Sequence, residues 1–248
     1  ADCGNGEIAQ FISNWDTSLV TDMTTLFSNK EKFNQPLDWD TSSVTRLRST
    51  FRYAKDFNQD LYWDTSSVTD MEYTFQYATK MNSKLPWDTS SVTSMGGMFG
   101  GTGGDATKTQ FNQDISRWDV SQVKDLSYMF YTSKFNQDIS CWDVSSVTKF
   151  NGMFEGNTVF SQTLCWDASG GDTTNMFKSN TGSVDSCTAS GCTADGAACS
   201  ADSDCISGAC DTTCQPRCEE NEYVSSGTCT ACDAFKIRPA GDDPAGAD

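Results

Sequence analysis

The chain has 248 residues, with 34 acidic and 17 basic side chains, a net charge of −17 and no histidine. That balance lacks the clustered Lys and Arg that nucleic acid requires, and it removes the commonest general acid/base and metal ligand. No run reaches the roughly 18 apolar residues of a membrane span, so direct membrane insertion is not expected, and the length suits one large domain or two ordinary ones.

Residues 1–7 form a lead-in. The start at Ala1-Asp2 has no basic, apolar leader, so a secreted form is expected to have lost it already. From residue 8 to 180 the chain repeats. All seven tryptophans (Trp15, Trp39, Trp63, Trp87, Trp118, Trp142, Trp166) fall in one series at intervals of 24, 24, 24, 31, 24 and 24 residues, each followed by Asp. Val20, Val44, Val68, Val92, Val123 and Val147 lie five residues on, and Phe27, Phe51, Phe75, Phe99, Phe130 and Phe154 twelve on. A fixed period of this size predicts a repeat solenoid of seven stacked coils.

Within one coil, Leu61 and Trp63 alternate with Asp60 and Tyr62, which predicts a short strand with one face inward. Val68, Met71 and Phe75 follow at spacings of three and four, which predicts a helical or 3₁₀ return. Like strands should then stack in parallel, about 4.8 Å apart, to build a leucine-rich-repeat-like rod with a continuous indole spine. The 31-residue interval holds Gly100 to Lys108, expected to bulge out as a loop after the return. FNQDISRW and FNQDISCW carry one residue more between Phe and Trp than FNQPLDW, which reads as a bulge.

Several columns invite a chemical reading. The Asp file (Asp16, Asp40, Asp64, Asp88, Asp119, Asp143, Asp167) fits carboxylates closing each corner as an Asx turn or helix cap; a row of calcium ions is the rival. The Asn file (Asn34, Asn58, Asn82, Asn112, Asn136) suits bonding to the backbone of the next coil, with carbohydrate binding secondary. The Thr files (Thr17, Thr41, Thr65, Thr89 and Thr21, Thr45, Thr69, Thr93) raise an ice-binding surface, but Asp70, Arg46 and the later Val120, Val144 and Lys124 interrupt the array. GTGGDA at Gly101 to Ala106 matches a dinucleotide fingerprint only by letter, and Lys108-Thr109 lacks the Gly of a P-loop. No polar cluster departs from the repeat, so neither a catalytic site nor a cofactor is expected.

Cys141 and Cys165 both stand just before Trp in adjacent coils, where stacking puts their Cα atoms about 5 Å apart, so they are expected to pair. Tyr53, Tyr62, Tyr73 and Tyr77 break the repeat in the second and third coils and are candidate interface residues. Residues 181–248 hold nine of the twelve cysteines (Cys187, Cys192, Cys199, Cys205, Cys210, Cys214, Cys218, Cys229, Cys232), which predicts a small disulfide-stapled module and an oxidising compartment. Zinc held by Cys214, Cys218, Cys229 and Cys232 is the less favoured reading. Pairing Cys141 with Cys165 leaves Cys3 to balance one tail cysteine, within a chain or between chains.

The pattern FNQDIS-x-WD-x-SSVT-x-M-x-x-MF over about residues 8 to 177 resembles the BspA-like leucine-rich-repeat surface proteins. The closest resemblance is to the variant repeat of mycoplasma lipoproteins and of secreted proteins of marine single-celled algae. It implies a right-handed repeat solenoid at the cell surface, with adhesion claimed for some members and no agreed activity. CSADSDCISGAC and GTCTACDAFKIRPAGDDPAGAD resemble the cysteine-rich, growth-factor-like modules that follow such repeats, in which AGDDPAGAD leads to a further cysteine, so the chain is expected to continue past Asp248. These readings together predict an extracellular or cell-surface structural protein, not an enzyme, that joins copies of itself or other surface proteins head to tail. The alternative is a monomeric adhesion module binding glycan or protein.

Overall fold

The computed structural model describes residues 12–13, 15–102 and 108–185, and the backbone of residues 222–225 and 228–231. The chain divides into two compact units, Ala1–Ala189 and Ser190–Asp248.

In the first unit the 24-residue repeats stack in parallel. One residue per coil marks the register, in the file Asp22, Arg46, Asp70, Ser94, Asp125, Lys149 and Asp172, each bridged in parallel to the next. After that residue the backbone alternates. The N–H groups of Met23, Thr25, Phe27 and Asn29 donate to Arg46, Arg48, Thr50 and Arg52 of the next coil, while those of Leu26, Ser28 and Lys30 turn back to Met23, Thr25 and Phe27 of their own.

This alternation corrects the expected helical return. A helix satisfies every N–H within its own segment. Here every second N–H must face the neighbouring coil, so the segment is a chain of overlapping turns with a left-handed residue at two fixed places. Thr25, Ser49, Tyr73, Gly97, Tyr128 and Gly152 occupy the first, with φ between 55° and 62°. Asn29, Tyr53, Tyr77, Thr132 and Gly156 occupy the second, with φ between 45° and 73°. Each non-glycine residue there costs about 1–2 kcal/mol, which the bonds between coils offset. The spacing of three and four arises because these turns, like a helix, bring Val68, Met71 and Phe75 to one side.

The expected strand is also modified. Leu61, Trp63 and Thr65 are buried and Tyr62 and Asp64 exposed, the burial pattern of a strand. Side chains, however, replace the backbone ladder. The carbonyl of Leu61 accepts the indole N–H of Trp87 at 3.0 Å, that of Asp64 accepts the hydroxyl of Thr41 at 2.9 Å, and the N–H of Asn58 donates to Asn34 Oδ1 at 2.8 Å. The indoles lie offset with centroids 6.1–6.4 Å apart, as in Trp39–Trp63, Trp63–Trp87, Trp87–Trp118 and Trp142–Trp166. That exceeds the ~4.8 Å of hydrogen-bonded strands.

Two phenylalanine files fill the interior. Phe27, Phe51, Phe75, Phe99, Phe130, Phe154 and Phe177 stack in sequence at 5.4–5.9 Å. Within each coil a second ring lies on the first, at 4.1 Å for Phe51–Phe57 and 3.9 Å for Phe130–Phe135. Buried hydroxyls hold the coils beside them: Thr74 Oγ1 donates to Met71 O at 2.7 Å and lies 3.0 Å from Leu47 O. Thr132 differs, because its buried hydroxyl has no partner. Thr132→Val keeps the shape and removes the unpaired group, so it is expected to stabilise the protein by about 1 kcal/mol in thermal unfolding.

The 31-residue interval leaves the interior continuous. Phe99 and Phe111, on either side of it, stack at 3.8 Å, and Thr109 Oγ1 donates to Phe99 O at 2.5 Å. Residues 103–107 lie outside the described residues. The extra residue of FNQDIS closes a tight turn, in which Trp118 N–H donates to Ile115 O at 3.1 Å and Ser116 N–H to Asp114 Oδ1 at 2.9 Å. The repeats also run past residue 180: β1 (Thr163–Leu164) pairs in parallel with β2 (Ser183–Val184). In the second unit β3 (Glu222–Ser225) pairs antiparallel with β4 (Thr228–Ala231), placing Val224 opposite Cys229. Cys3 and the tail cysteines other than the Cys229 backbone lie outside the described residues, and with them the tail disulfides and the side chains of the less favoured zinc set.

Candidate interaction surfaces

Three of the four candidate tyrosines come together. Tyr53 and Tyr77 hold the same left-handed position in adjacent coils, with ring centroids 4.3 Å apart. The Arg52 guanidinium sits 5.3, 5.6 and 5.8 Å from the rings of Tyr53, Tyr73 and Tyr77, and its Nε donates to Gln76 Oε1 at 2.8 Å. Arg48 lies 5.3 Å from the Tyr73 ring and is ion-paired to Glu72, with Asp70 at 3.8 Å. Burial pushes the Tyr77 phenol up, and it pushes the Asp70 carboxyl up against the opposing pull of Arg48 and Arg46. Tyr62, 71% exposed, stands apart from this cluster, on the stretch leading to Trp63.

Sequence reasoning missed the two arginines. Their signal was a charge at positions held elsewhere by Thr24 and Glu72, or Ser28 and Gln76. It also missed why glycine recurs in the return. A Cβ on Gly97 would meet the Tyr73 ring at 2.5 Å, and one on Gly156 would meet Thr132 Cγ2 at 2.6 Å. A large residue of one coil therefore lies over a glycine of the next. The half-buried patch of planar rings and guanidinium can stack on flat groups and bond acceptors.

The charged files obey a rule. In several files the sign alternates from coil to coil: Lys32–Asp56–Lys80 at 3.1 and 2.9 Å, Asp22–Arg46 at 3.1 Å, Asp125–Lys149 at 2.8 Å and Glu155–Lys178 at 2.7 Å, even though Asp22 and Asp125 also accept the N–H of Thr24 and Ser127. The Asp file after Trp keeps one sign and is satisfied locally. Asp16, Asp40, Asp64, Asp88 and Asp167 each accept the N–H and hydroxyl of the Ser two residues on, with hydroxyl distances of 2.6–2.7 Å, and Asp119 and Asp143 accept the N–H. These bonds hold the carboxyls of Asp16, Asp40, Asp88, Asp143 and Asp167 below the ordinary range. A lowered folded value means the stabilisation is present above the unfolded value and lost as pH falls through the folded one. The melting temperature should therefore drop on acidification below about pH 4. In Asp88→Asn, whose amide oxygen still accepts but does not titrate, that dependence should be shallower in a pH series of melting curves.

The remaining candidates are placed as follows. No group of three or more His, Cys, Asp or Glu able to hold a metal occurs among the described residues. The Asn file bonds from coil to coil, Asn82 N–H to Asn58 Oδ1 at 2.7 Å and Asn136 N–H to Asn112 Oδ1 at 2.8 Å, though at the surface rather than buried. Thr17, Thr41, Thr65 and Thr89 are buried with their hydroxyls on Asp carbonyls, which withdraws one file from the ice-binding surface. Cys141 and Cys165 are both disulfide-bonded. The stacking of Trp142 on Trp166 at 6.1 Å puts them side by side. Six of the indoles are at most 6% exposed; Trp15, on the first coil, is 57% exposed, with Leu19 at 90% and Leu26 at 44%.

A family model described as "Mycoplasma protein of unknown function, DUF285" matches the chain twice, over residues 2–108 and 86–188. The chain belongs to this family. DUF285 is a Mycoplasma-type repeat family related to BspA-like surface proteins, and its two matches cover the stacked coils described above. No curated protein and no solved structure matches the chain. No helix among the described residues is long and apolar enough to cross a membrane.

Proposed function

We propose that this DUF285 chain is a repeat solenoid of leucine-rich-repeat-like coils, followed by a growth-factor-like cysteine-rich module, that serves outside the cell as a structural building block. Copies join head to tail at the cell surface, and the protein is not an enzyme. The observation that carries this reading is the apolar surface of the first described coil, where Trp15 is 57% exposed while Trp39, one coil further in, is 6% exposed. Apolar surface on a repeat coil needs a cap or a neighbour, and a contact between unlike ends propagates. Twelve cysteines, two of them disulfide-bonded in adjacent coils, support the extracellular placement. Sedimentation velocity and negative-stain electron microscopy of the full chain should show linear species that lengthen with concentration. Dispersed monomers at every concentration would overturn the reading.

The Arg52 cluster supports a second reading, a recognition arm whose aromatic face binds glycan or another surface protein. It expects binding on a glycan array or in a pull-down that is lost in Tyr53→Ala/Tyr77→Ala; binding unchanged by those substitutions would remove it.

A further inference from the structure

Along the return segment the bonding between coils has a direction. At each of the six junctions four N–H groups of one coil donate to four carbonyls of the next, from Met23, Thr25, Phe27 and Asn29 at the first to Phe150, Gly152, Phe154 and Gly156 at the last. The acceptors at that last junction are Asp172, Thr174, Met176 and Lys178, at 2.8–2.9 Å. Along this row the donors face the carboxyl-terminal neighbour, whereas just before it single N–H groups such as those of Thr45, Thr69 and Thr93 donate back to Thr21, Thr45 and Thr69. The first coil is left with the carbonyls of Asp22, Thr24, Leu26 and Ser28, the last with the N–H groups of Thr173, Asn175, Phe177 and Ser179. None of these eight groups has a hydrogen-bond partner among the described residues. Both rows lie on largely exposed residues and advance by two residues per bond, as every inner junction does.

Apolar surface accompanies each row. Trp15 and Leu26 stand out on the first coil. The last coil carries an open hollow of about 630 Å³ whose lining includes Trp166, Ala168, Met176, Phe177 and Val184. We propose that a second copy of this chain covers both. The N–H groups of Thr173, Asn175, Phe177 and Ser179 of one copy donate to the carbonyls of Asp22, Thr24, Leu26 and Ser28 of the next, carrying the Phe file from Phe177 to Phe27 across the boundary. This rests on the head-to-tail reading and adds its register. Only a segment with the same alternation of inward and outward N–H groups matches either row, and this chain carries the complement of each row on its opposite end. Because the two matching rows lie on opposite ends of the chain, a contact that joins them is heterologous and propagates rather than closing as a two-fold dimer.

Charge sets the salt dependence. Inner junctions of the bridging file pair Asp22 with Arg46 and Asp125 with Lys149, but the new junction brings Asp172 against Asp22, and Asp167 against Asp16. Backbone bonds and apolar contact thus act against like charges that salt screens. Assembly should strengthen as salt is raised.

The register is tested by cross-linking. Thr24 and Thr174 share the file in which Arg48 and Glu72 already touch, so they become neighbours across the junction. In the full chain carrying Thr24→Cys and Thr174→Cys, oxidation of mixed isotope-labelled and unlabelled chains should yield an inter-chain 24–174 peptide. Its yield should exceed that of the offset pair Thr24→Cys and Ser169→Cys by about tenfold or more, since a disulfide needs Cα atoms within about 7 Å. Linear assembly with no preference for 24–174 overturns the register and leaves the head-to-tail reading standing. Assembly that salt dissolves overturns the junction described here. Monomers at every salt concentration overturn both.

Discussion

Phe130→Ala is expected to destabilise the repeat unit by about 3–5 kcal/mol, the range for emptying a fully buried phenylalanine site. Phe130 has no exposed surface and is held on three sides, stacked on Phe99 at 5.9 Å, Phe154 at 5.6 Å and Phe135 at 3.9 Å. Its backbone N–H also donates to Met153 O at 2.8 Å, so collapse of the site would strain a bond between coils. Neighbouring coils cannot close the gap, because their spacing is set by four such bonds at each junction. The same change at Phe27, whose coil has a stacked neighbour on one side among the described residues and whose ring is 8% exposed, should cost clearly less. Thermal or urea unfolding followed by circular dichroism measures both. Equal losses at the two positions would mean that the coils do not support one another as the stacked rings imply.

The sequence disclosed the files more readily than the backbone that carries them. Trp39, Trp63 and their equivalents announce themselves by interval and by the Asp that follows, and a side chain that must meet its own kind in the next coil leaves a trace at a fixed period. The conformation of the return left no such trace. Val68, Met71 and Phe75 fit a helix as well as they fit a run of turns, since both bring residues three and four apart to one face. What separates the two is the sign of φ at Tyr73 and Tyr77, near +60°, and tyrosine is a residue from which left-handed geometry is not expected. The glycines at the equivalent places, Gly97 and Gly156, were the legible clue, because a position shared by Tyr, Thr and Gly along one file points to the backbone rather than the side chain. Arg48 and Arg52 escaped notice because the tyrosines were read as interruptions of a pattern and not as one half of a contact. Their alternation with Glu72 and Gln76 follows the same rule as Lys32, Asp56 and Lys80, and that rule emerges only when successive coils are set side by side.

Gly156→Ala is expected to cost about 2–5 kcal/mol, more than an ordinary glycine substitution, because a backbone penalty of about 1–2 kcal/mol and an overlap penalty of about 1–3 kcal/mol act at one atom. The φ of Gly156 is 73°, a conformation an alanine adopts only with strain. The added methyl would also stand 2.6 Å from Thr132 Cγ2. Thr132 cannot withdraw, being buried and itself left-handed, with its N–H on Glu155 O at 2.9 Å. The combination Gly156→Ala with Thr132→Gly separates the terms: removing the Thr132 side chain relieves the overlap and leaves the backbone strain. The double variant should recover part of the loss caused by Gly156→Ala, measured against Thr132→Gly alone, with a coupling of about 1 kcal/mol or more in the double-mutant cycle. Additive losses would place the whole cost in the backbone and would mean that the coils are not in side-chain contact along this file. Contact there is what sets a glycine after Thr132, as it sets Gly97 after Tyr73 in the neighbouring file, while Tyr53 and Tyr77 meet instead ring against ring at 4.3 Å.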